Sequence, residues 1–155
     1  MPIHSAGLLL YRTTSDGTEV LLVHPGGPFY VNRDDGVWSI PKGEFDPAVE
    51  SPVDTARREF TEETGHPPPE AVPLDLGTVV QKGGKVVHAF AAEGDLDAGA
   101  ITSNTFTFEW PPRSGRDREF PEVDRAGWFG MAAARVKIVA AQAGLLDRLA
   151  EHLGA

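Results

Sequence analysis

The chain is 155 residues long, enough for one domain with a buried core, and its 41% hydrophobic and 24% charged residues are ordinary for a soluble globular protein. Its formal charge, 14 − 23 = −9, repels polyphosphates and nucleic acid, and no Lys/Arg stripe suits a duplex, so an anionic substrate needs local attraction from metal ions or a basic pocket. The chain has no cysteine, which excludes disulfides, thiol catalysis and zinc–thiolate centres. Met1 to Ser5 lack a basic leader, and Leu8-Leu9-Leu10 is too short to span a bilayer. The expectation is a cytoplasmic protein with no membrane partner and no nucleic-acid partner; monomer and homodimer both remain open.

Residues 6–12 read as a buried strand and residues 19–24 as the next, joined by a polar turn at Thr13 to Gly17. Pro25-Gly26-Gly27-Pro28 breaks regular structure, and a loop runs to about Gly36, long enough to be a binding element. Val37 to Ile40 read as a short apolar strand stopped by Pro41. The clearest helix follows. Ser51 is its N-cap and Pro52 its first residue, Asp54 places an acid in the first turn, and Gly65 ends it ahead of Pro67-Pro68-Pro69. Val53, Ala56 and Phe60 supply its apolar face. Residues 76–81 and 85–91 flank Lys82-Gly83-Gly84 as a hairpin, and residues 105–110 form another strand. Residues 111–124 read as a long polar loop and 125–129 as a short strand. Residues 132–138 and 142–153 read as helices, the second with a stripe of Leu145, Leu146, Leu149 and Leu153. The pattern is a single mixed α/β domain over residues 1–155.

The chemistry concentrates on the middle helix. Glu59, Glu62 and Glu63 stand at i, i+3 and i+4, so three carboxylates share one face, where like charges are mildly destabilising. A hard divalent cation over that face removes the conflict. Magnesium takes oxygen ligands, keeps several waters and is readily shared with substrate phosphate. The plain alternative is a solvated acidic face, and the bare E-x-x-E-E spacing alone would favour it. The flanking residues shift the balance: Glu50 lies ahead of the helix, Arg58 beside Glu59, and Gly43 and Gly65 at turns on either side.

The segment Gly43 to His66 resembles the Nudix box, G-x5-E-x7-R-E-U-x-E-E-x-G-U with U apolar. Gly43 matches the first glycine and Glu50 the first glutamate. Seven residues then lead to Arg58-Glu59-Phe60-Thr61-Glu62-Glu63-Thr64-Gly65. Two positions depart from the pattern: six residues rather than five separate Gly43 from Glu50, and His66 takes the final apolar place. The stretches Leu-Leu-Val-His-Pro-Gly-Gly-Pro, Gln-Lys-Gly-Gly-Lys-Val-Val-His, Ser-Asn-Thr-Phe and Glu-Trp-Pro-Pro-Arg-Ser-Gly extend the likeness to short bacterial Nudix proteins regarded as nucleoside triphosphate pyrophosphohydrolases.

The resemblance implies an α/β/α Nudix sandwich with a central mixed sheet. It implies hydrolysis of a diphosphate linkage in a nucleoside diphosphate derivative, with Mg2+ as cofactor and Mn2+ as a substitute. Glu59, Glu62 and Glu63 match its metal-binding glutamates, and Gly43 matches the glycine whose carbonyl completes the metal shell. Arg58 matches the arginine that braces the box, here through Glu50. The general base lies among Glu59 and Glu62 within the box and Glu109, Glu119 and Glu122 outside it, with Glu119 or Glu122 favoured. The lead-in Pro41-Lys42-Gly43 resembles members that cleave dinucleoside polyphosphates or diphosphoinositol phosphates. Lys42 would set a point charge beside the phosphates; a plain surface lysine is an equal reading. Tyr30 or Phe29, or else Trp110, would stack on a base, and Arg113, Arg116 and Arg118 would reach terminal phosphates, with a solvated loop the plainer reading for some of them. Dinucleoside polyphosphates and nucleoside triphosphates lead the substrate classes, followed by ADP-ribose and nucleotide sugars. An RNA 5′-pyrophosphohydrolase fits the missing basic surface less well. A non-catalytic nucleotide-sensing module would be expected to have lost box glutamates.

Overall fold

An unbroken apolar run needs cover on both faces, and the first strand receives it. The structure, a computed structural model, describes residues 2–154. β1 (His4–Thr14) turns Leu8 and Leu10 to one side and Leu9 to the other, and all three are buried. β2 (Gly17–Pro25) returns antiparallel, and β3 (Lys42–Phe45) pairs antiparallel with the start of β1, Gly7 opposite Lys42 and Ser5 opposite Glu44. β4 (Leu74–Val80) and β5 (Val86–Glu93) form the second hairpin, with β5 parallel to β1. β8 (Val123–Gly130) closes the far side on β2, giving the order β4-β5-β1-β2-β8 with β3 added on β1.

Helix α1 (Pro52–Thr64) covers one face through Ala56 and Phe60, which pack with Leu8, Leu10, Leu21 and Phe90. Helices α2 (Met131–Lys137) and α3 (Ala143–Leu153) cover the other, where Leu145, Leu146 and Leu149 meet Leu9, Val20, Leu22 and Trp38. This is the α/β/α sandwich expected from the sequence. The local signals that define α1 hold: the Ser51 hydroxyl accepts from the Asp54 amide at 3.2 Å, and Gly65 ends the helix at φ 76°.

Three expectations are corrected. Residues 37–40 are not a strand, because they make only isolated bridges, Ser39 to Val23 and Trp38 to Ile138. Their apolar character has another cause: Trp38 and Ile40 are buried and anchor the chain in the core. Pro41 does not end regular structure, since β3 begins immediately after it, with the Pro41 carbonyl accepting from the Leu8 amide at 3.1 Å. Gly43 therefore sits on a strand and not at a turn. Residues 111–124 are not one loop either. β6 (Thr105–Glu109) and β7 (Asp117–Pro121) make a separate two-stranded ribbon, Thr105 opposite Pro121. β6 alternates with Phe106 and Phe108 on one face, but β7 reads Asp-Arg-Glu-Phe-Pro with a single apolar partner, Phe120 opposite Phe106, so alternation gave no warning of β7.

No helix among the described residues is long and apolar enough to cross a membrane. Phe60 is fully buried and is the largest apolar contact between α1 and the sheet. Phe60→Ala is expected to cost about 3–5 kcal/mol of unfolding free energy. Urea titration followed by circular dichroism measures it, and a loss below about 1 kcal/mol would contradict this packing role.

Candidate active site

α1 presents its carboxylates to β3. Together these elements border a cleft of about 390 Å3 lined by Lys42, Gly43, Glu59, Glu62 and Glu63, with Ser5 from β1 and Lys85 from the β4–β5 turn. Gly43 brings bare backbone close to Glu59: a Cβ there would meet the Glu59 carboxylate, which would have to move aside. The extra residue between Gly43 and Glu50 is taken up in a turn in which Asp46 accepts from the amides of Ala48, Val49 and Glu50 at 2.9, 2.9 and 3.0 Å. Glu50 still reaches Arg58 despite it, and Gly43 lies against the Glu59 carboxylate. His66 is half-buried, and its Nε2 lies 3.1 Å from the Ala100 carbonyl.

Arg58 braces the arrangement. Its Nε and one terminal nitrogen donate to the two oxygens of Glu50 at 2.9 and 2.8 Å, the bidentate fit of a guanidinium to a carboxylate. The other terminal nitrogen donates to Glu59 at 3.1 Å and to Glu62 at 2.9 Å. This pairing pulls the Glu50 carboxyl down to about 2 and raises Arg58. Deeper in the cleft the balance reverses. Burial, then the charge of Glu59, pushes the Glu63 carboxyl up to about 8, although the Lys42 amide donates to it at 3.2 Å. Burial, then the charge of Glu62, pushes Glu59 up to about 7 against the pull of Arg58. Lys42 is lowered by burial first and by Lys85 second, opposed by Glu63, Glu44 and Glu59. Burial thus works against the charged forms of Glu59, Glu63 and Lys42 alike.

Those features fit a hard divalent cation. The donors are carboxylate, hydroxyl and carbonyl oxygens, and the buried Ser5 hydroxyl has no hydrogen-bond partner among the described residues. Among the described residues no three Asp, Glu, His or Cys side chains close around a single point, and Arg58 stands between Glu59 and Glu62. An ion held here would keep part of its water shell, as magnesium does.

Glu122 enters from the far end of the chain. The segment before β6 is tied along α1 by the Thr102 amide on Thr64 O at 2.9 Å and the Asn104 amide on Glu62 O at 2.8 Å. The Glu122 amide donates to Asn104 O at 2.7 Å, and the Gly26 amide to Glu122 O at 3.0 Å. Glu122 thus lines the carboxylate cleft together with Asn104 and Thr105. Glu119 stands exposed on β7 opposite Thr107 and is not among the residues lining the carboxylate cleft. Glu109 accepts from the Arg113 amide at 2.9 Å within the β6–β7 turn. Arg113 itself is exposed in that turn, away from the cleft. Tyr30 lines a neighbouring cleft that shares Lys42.

His24, given no role from the sequence, is completely buried. Its Nδ1 lies 2.8 Å from Asp124 and its Nε2 2.6 Å from the Arg33 carbonyl, which pins the 25–36 loop to β8. Ser5 carried no signal in the sequence, since a lone serine before an apolar strand is commonplace, and Asn104 was given no role although it lies in the Ser-Asn-Thr-Phe stretch.

The arrangement has relatives. A family model described as the NUDIX domain matches residues 1–149. Among solved structures, a binary complex of the C. elegans Ap4A hydrolase superposes with a TM-score of 0.68 at 21% identity, covering 97% of this chain and 98% of that one. The NUDIX domain of Shewanella oneidensis NrtR, complexed with ADP ribose, gives 0.67 at 19% identity over 99% and 89%. The MutT protein from Methanosarcina mazei Go1 gives 0.62 at 20% identity over 99% and 97%. At these identities the structures establish a common fold. No curated protein matches the sequence. With the family model spanning nearly the whole chain and the box residues meeting in one cleft, the chain belongs to the NUDIX domain family.

Proposed function

We infer that this Nudix pyrophosphohydrolase cleaves a diphosphate linkage in a nucleoside diphosphate derivative, with dinucleoside polyphosphates and nucleoside triphosphates as the leading substrates. The observation that carries the reading is the meeting of Glu59, Glu62, Glu63 and Glu122 with Lys42 and Lys85 in one cleft. Mg2+, or Mn2+ in its place, would supply charge neutralisation of the diphosphate and a more acidic bound water. The protein's own groups divide the remaining work. Glu59, Glu62 and Glu63, with the Gly43 carbonyl, form the donor set. Arg58 keeps two of those carboxylates oriented. Lys42 and Lys85 attract phosphate oxygens that the chain's net charge of −9 would otherwise repel. Glu122 is the favoured group to take the proton of the attacking water, because it reaches the cleft from outside the box while Glu119 does not. The substrate preference draws support from the Pro41-Lys42-Gly43 lead-in and from the likeness to an Ap4A hydrolase; the NUDIX domain complexed with ADP ribose makes that compound the next candidate.

The direct test is product analysis with diadenosine polyphosphates, nucleoside triphosphates, ADP-ribose, nucleotide sugars and 5′-triphosphorylated RNA, in magnesium with and without chelator. Cleavage of one class that chelator abolishes is the expected result. Binding without cleavage of any member would replace the enzyme with a sensing module. Glu62→Gln and Glu63→Gln are each expected to lower kcat by at least about a hundredfold with an unchanged circular dichroism spectrum, as loss of a group acting in the transition state should. Wild-type turnover in either variant, with metal in excess, would remove these residues from the site.

The raised carboxyls give a pH signature without substrate. The folded state of the metal-free protein holds protons on Glu59 and Glu63 that the unfolded chain releases near 4.5. Their contribution to stability is full below that value and is lost as pH rises through about 7 and about 8. A bound cation favours the ionised forms. The rise in Tm on adding magnesium should therefore be larger at pH 8 than at pH 5.5, and a scan showing the reverse order would contradict cation binding by these groups.

A further inference from the structure

The register of the β6–β7 ribbon sorts its side chains onto two unlike faces. Phe106 lies opposite Phe120 and Phe108 opposite Arg118. Trp110 continues the ladder by donating to the Arg116 carbonyl at 3.0 Å. Side chains alternate along each strand, so Phe106, Phe108, Trp110, Arg116, Arg118 and Phe120 share one face. The contacts agree: the Phe106 and Phe120 ring centroids are 5.9 Å apart, and the Arg118 guanidinium carbon is 5.4 Å from the Phe120 centroid. The other face carries Glu109 opposite Asp117 and Thr107 opposite Glu119. Three arginines and three acids cancel over residues 105–121, yet the acids stand on one face and Arg116 and Arg118 on the other.

The aromatic and cationic face is braced but open. Phe29 packs edge to face against Phe108 and Trp110, with centroids 5.3 and 5.6 Å apart. Gly27 lies against Phe106, where a Cβ would come within 3.0 Å of the ring. These contacts fix the ribbon to the 25–36 loop without covering it. Phe108 keeps 36% of its surface in solvent, and Arg116 and Arg118 are exposed. None of Arg113, Arg116 and Arg118 lines the carboxylate cleft, so phosphates held there are out of their company and another anion has to be found for them.

We propose that this face of the ribbon binds single-stranded RNA, with bases stacking on Phe108 and Trp110 and backbone phosphates meeting Arg116 and Arg118. Flat rings interleaved with cations match a polymer that alternates flat bases with anions. A duplex does not match, because its bases are already stacked on one another and offer the rings no open face. The ribbon starts at the carboxylate cleft, which Thr105 lines, and Glu122 follows its last residue. β6 carries the face away from the cleft over five residues, about 17 Å. RNA begun from a nucleoside triphosphate keeps that triphosphate at its 5′ end, so the end would enter the cleft while the strand follows the ribbon. The net charge of −9 does not forbid this, because exposed charges more than about 8 Å away are largely screened at physiological salt. The placing of the 5′ end rests on reading the carboxylate cleft as the diphosphate site; the binding face itself does not.

The test is fluorescence anisotropy with a 3′-labelled RNA octamer that ends in a 5′-hydroxyl, in chelator, so that the carboxylate cleft takes no part. The proteins are wild type, Arg116→Gln/Arg118→Gln and Phe108→Leu, with Tm measured for each. The exposed arginine pair serves if the Leu variant does not fold. Loss of the arginines is expected to weaken binding about tenfold or more. It should also lower the slope of log K against log salt by about 1.4, since each phosphate contact on a single strand contributes about 0.7. Loss of the ring is expected to cost about fivefold or more at an unchanged slope. An octamer left unbound by wild type at about 50 mM salt, a duplex bound as tightly as the single strand, or variants that match wild type would each overturn the RNA face. A dimer that the arginine variant dissolves, with no RNA bound, would overturn it in favour of a second copy of the chain. The two readings fail separately. If the octamer binds through this face but neither nucleotides nor 5′-triphosphorylated RNA is cleaved, the RNA face stands and the hydrolase reading does not. If nucleotides are cleaved and the octamer is not bound, only the RNA face is lost.

Discussion

Like charges held together out of water raise one another's cost of ionisation, and the fold of this chain brings Glu59, Glu62 and Glu63 to one desolvated wall. The raised carboxyl groups of Glu59 and Glu63 record that cost, burial first and neighbouring charge second, and Glu122 adds to it at Glu63. Arg58 offsets only part of the charge, because its guanidinium is already shared with Glu50. Gly43 makes the closeness sterically permissible by bringing a bare backbone up to the Glu59 carboxylate. A cation bound over these residues would offset that charge.

The sheet makes that convergence rigid. β1 is covered on both faces, and its N-terminal half carries β3 on one edge and β5 on the other, so Gly43 and Lys85 approach the cleft from either side of Ser5. The segment 102–104 is bound along the carbonyls at the C-terminal end of α1 and then hands its own carbonyl to Glu122. The helix that carries the box thus also positions a residue some sixty positions further along the sequence. The ribbon β6–β7 projects from the same place, with its two ends, at Thr105 and Pro121, next to the cleft.

Charge explains the division between the clefts. A chain of net charge −9 attracts a nucleotide poorly at long range, so recognition has to be local. Lys42 stands where the two clefts meet, and burial, then Lys85, lowers its pKa. The loop beside it is held at Arg33 by the buried ring of His24, which joins that loop to β8 next to Glu122.

Much of this was legible in the sequence wherever the determinants were local. Caps, breakers and helical spacing marked α1 and its acidic face, and the spacing from Gly43 to Gly65 identified the family before any geometry. The apolar stripe of α3 and the two-sided burial of β1 followed from periodicity in the same way. Long-range packing decided the rest. Residues 37–40 look like a strand because they are apolar, yet they are apolar because Trp38 and Ile40 anchor a loop in the core. Glu119 and Glu122 are indistinguishable in sequence, and only the hydrogen bonds of Asn104 separate the one at the cleft from the one in solvent. Gln81 and Gln142 lie sixty-one residues apart, and neither signals a role until the fold closes them onto Ile40. Helix spacing, caps and charge are properties of neighbours along the chain, so the sequence determined the family, the core pattern and the acidic face of α1. Which distant polar group meets which is fixed by the burial that forces each to find a partner, and only the tertiary structure could decide it.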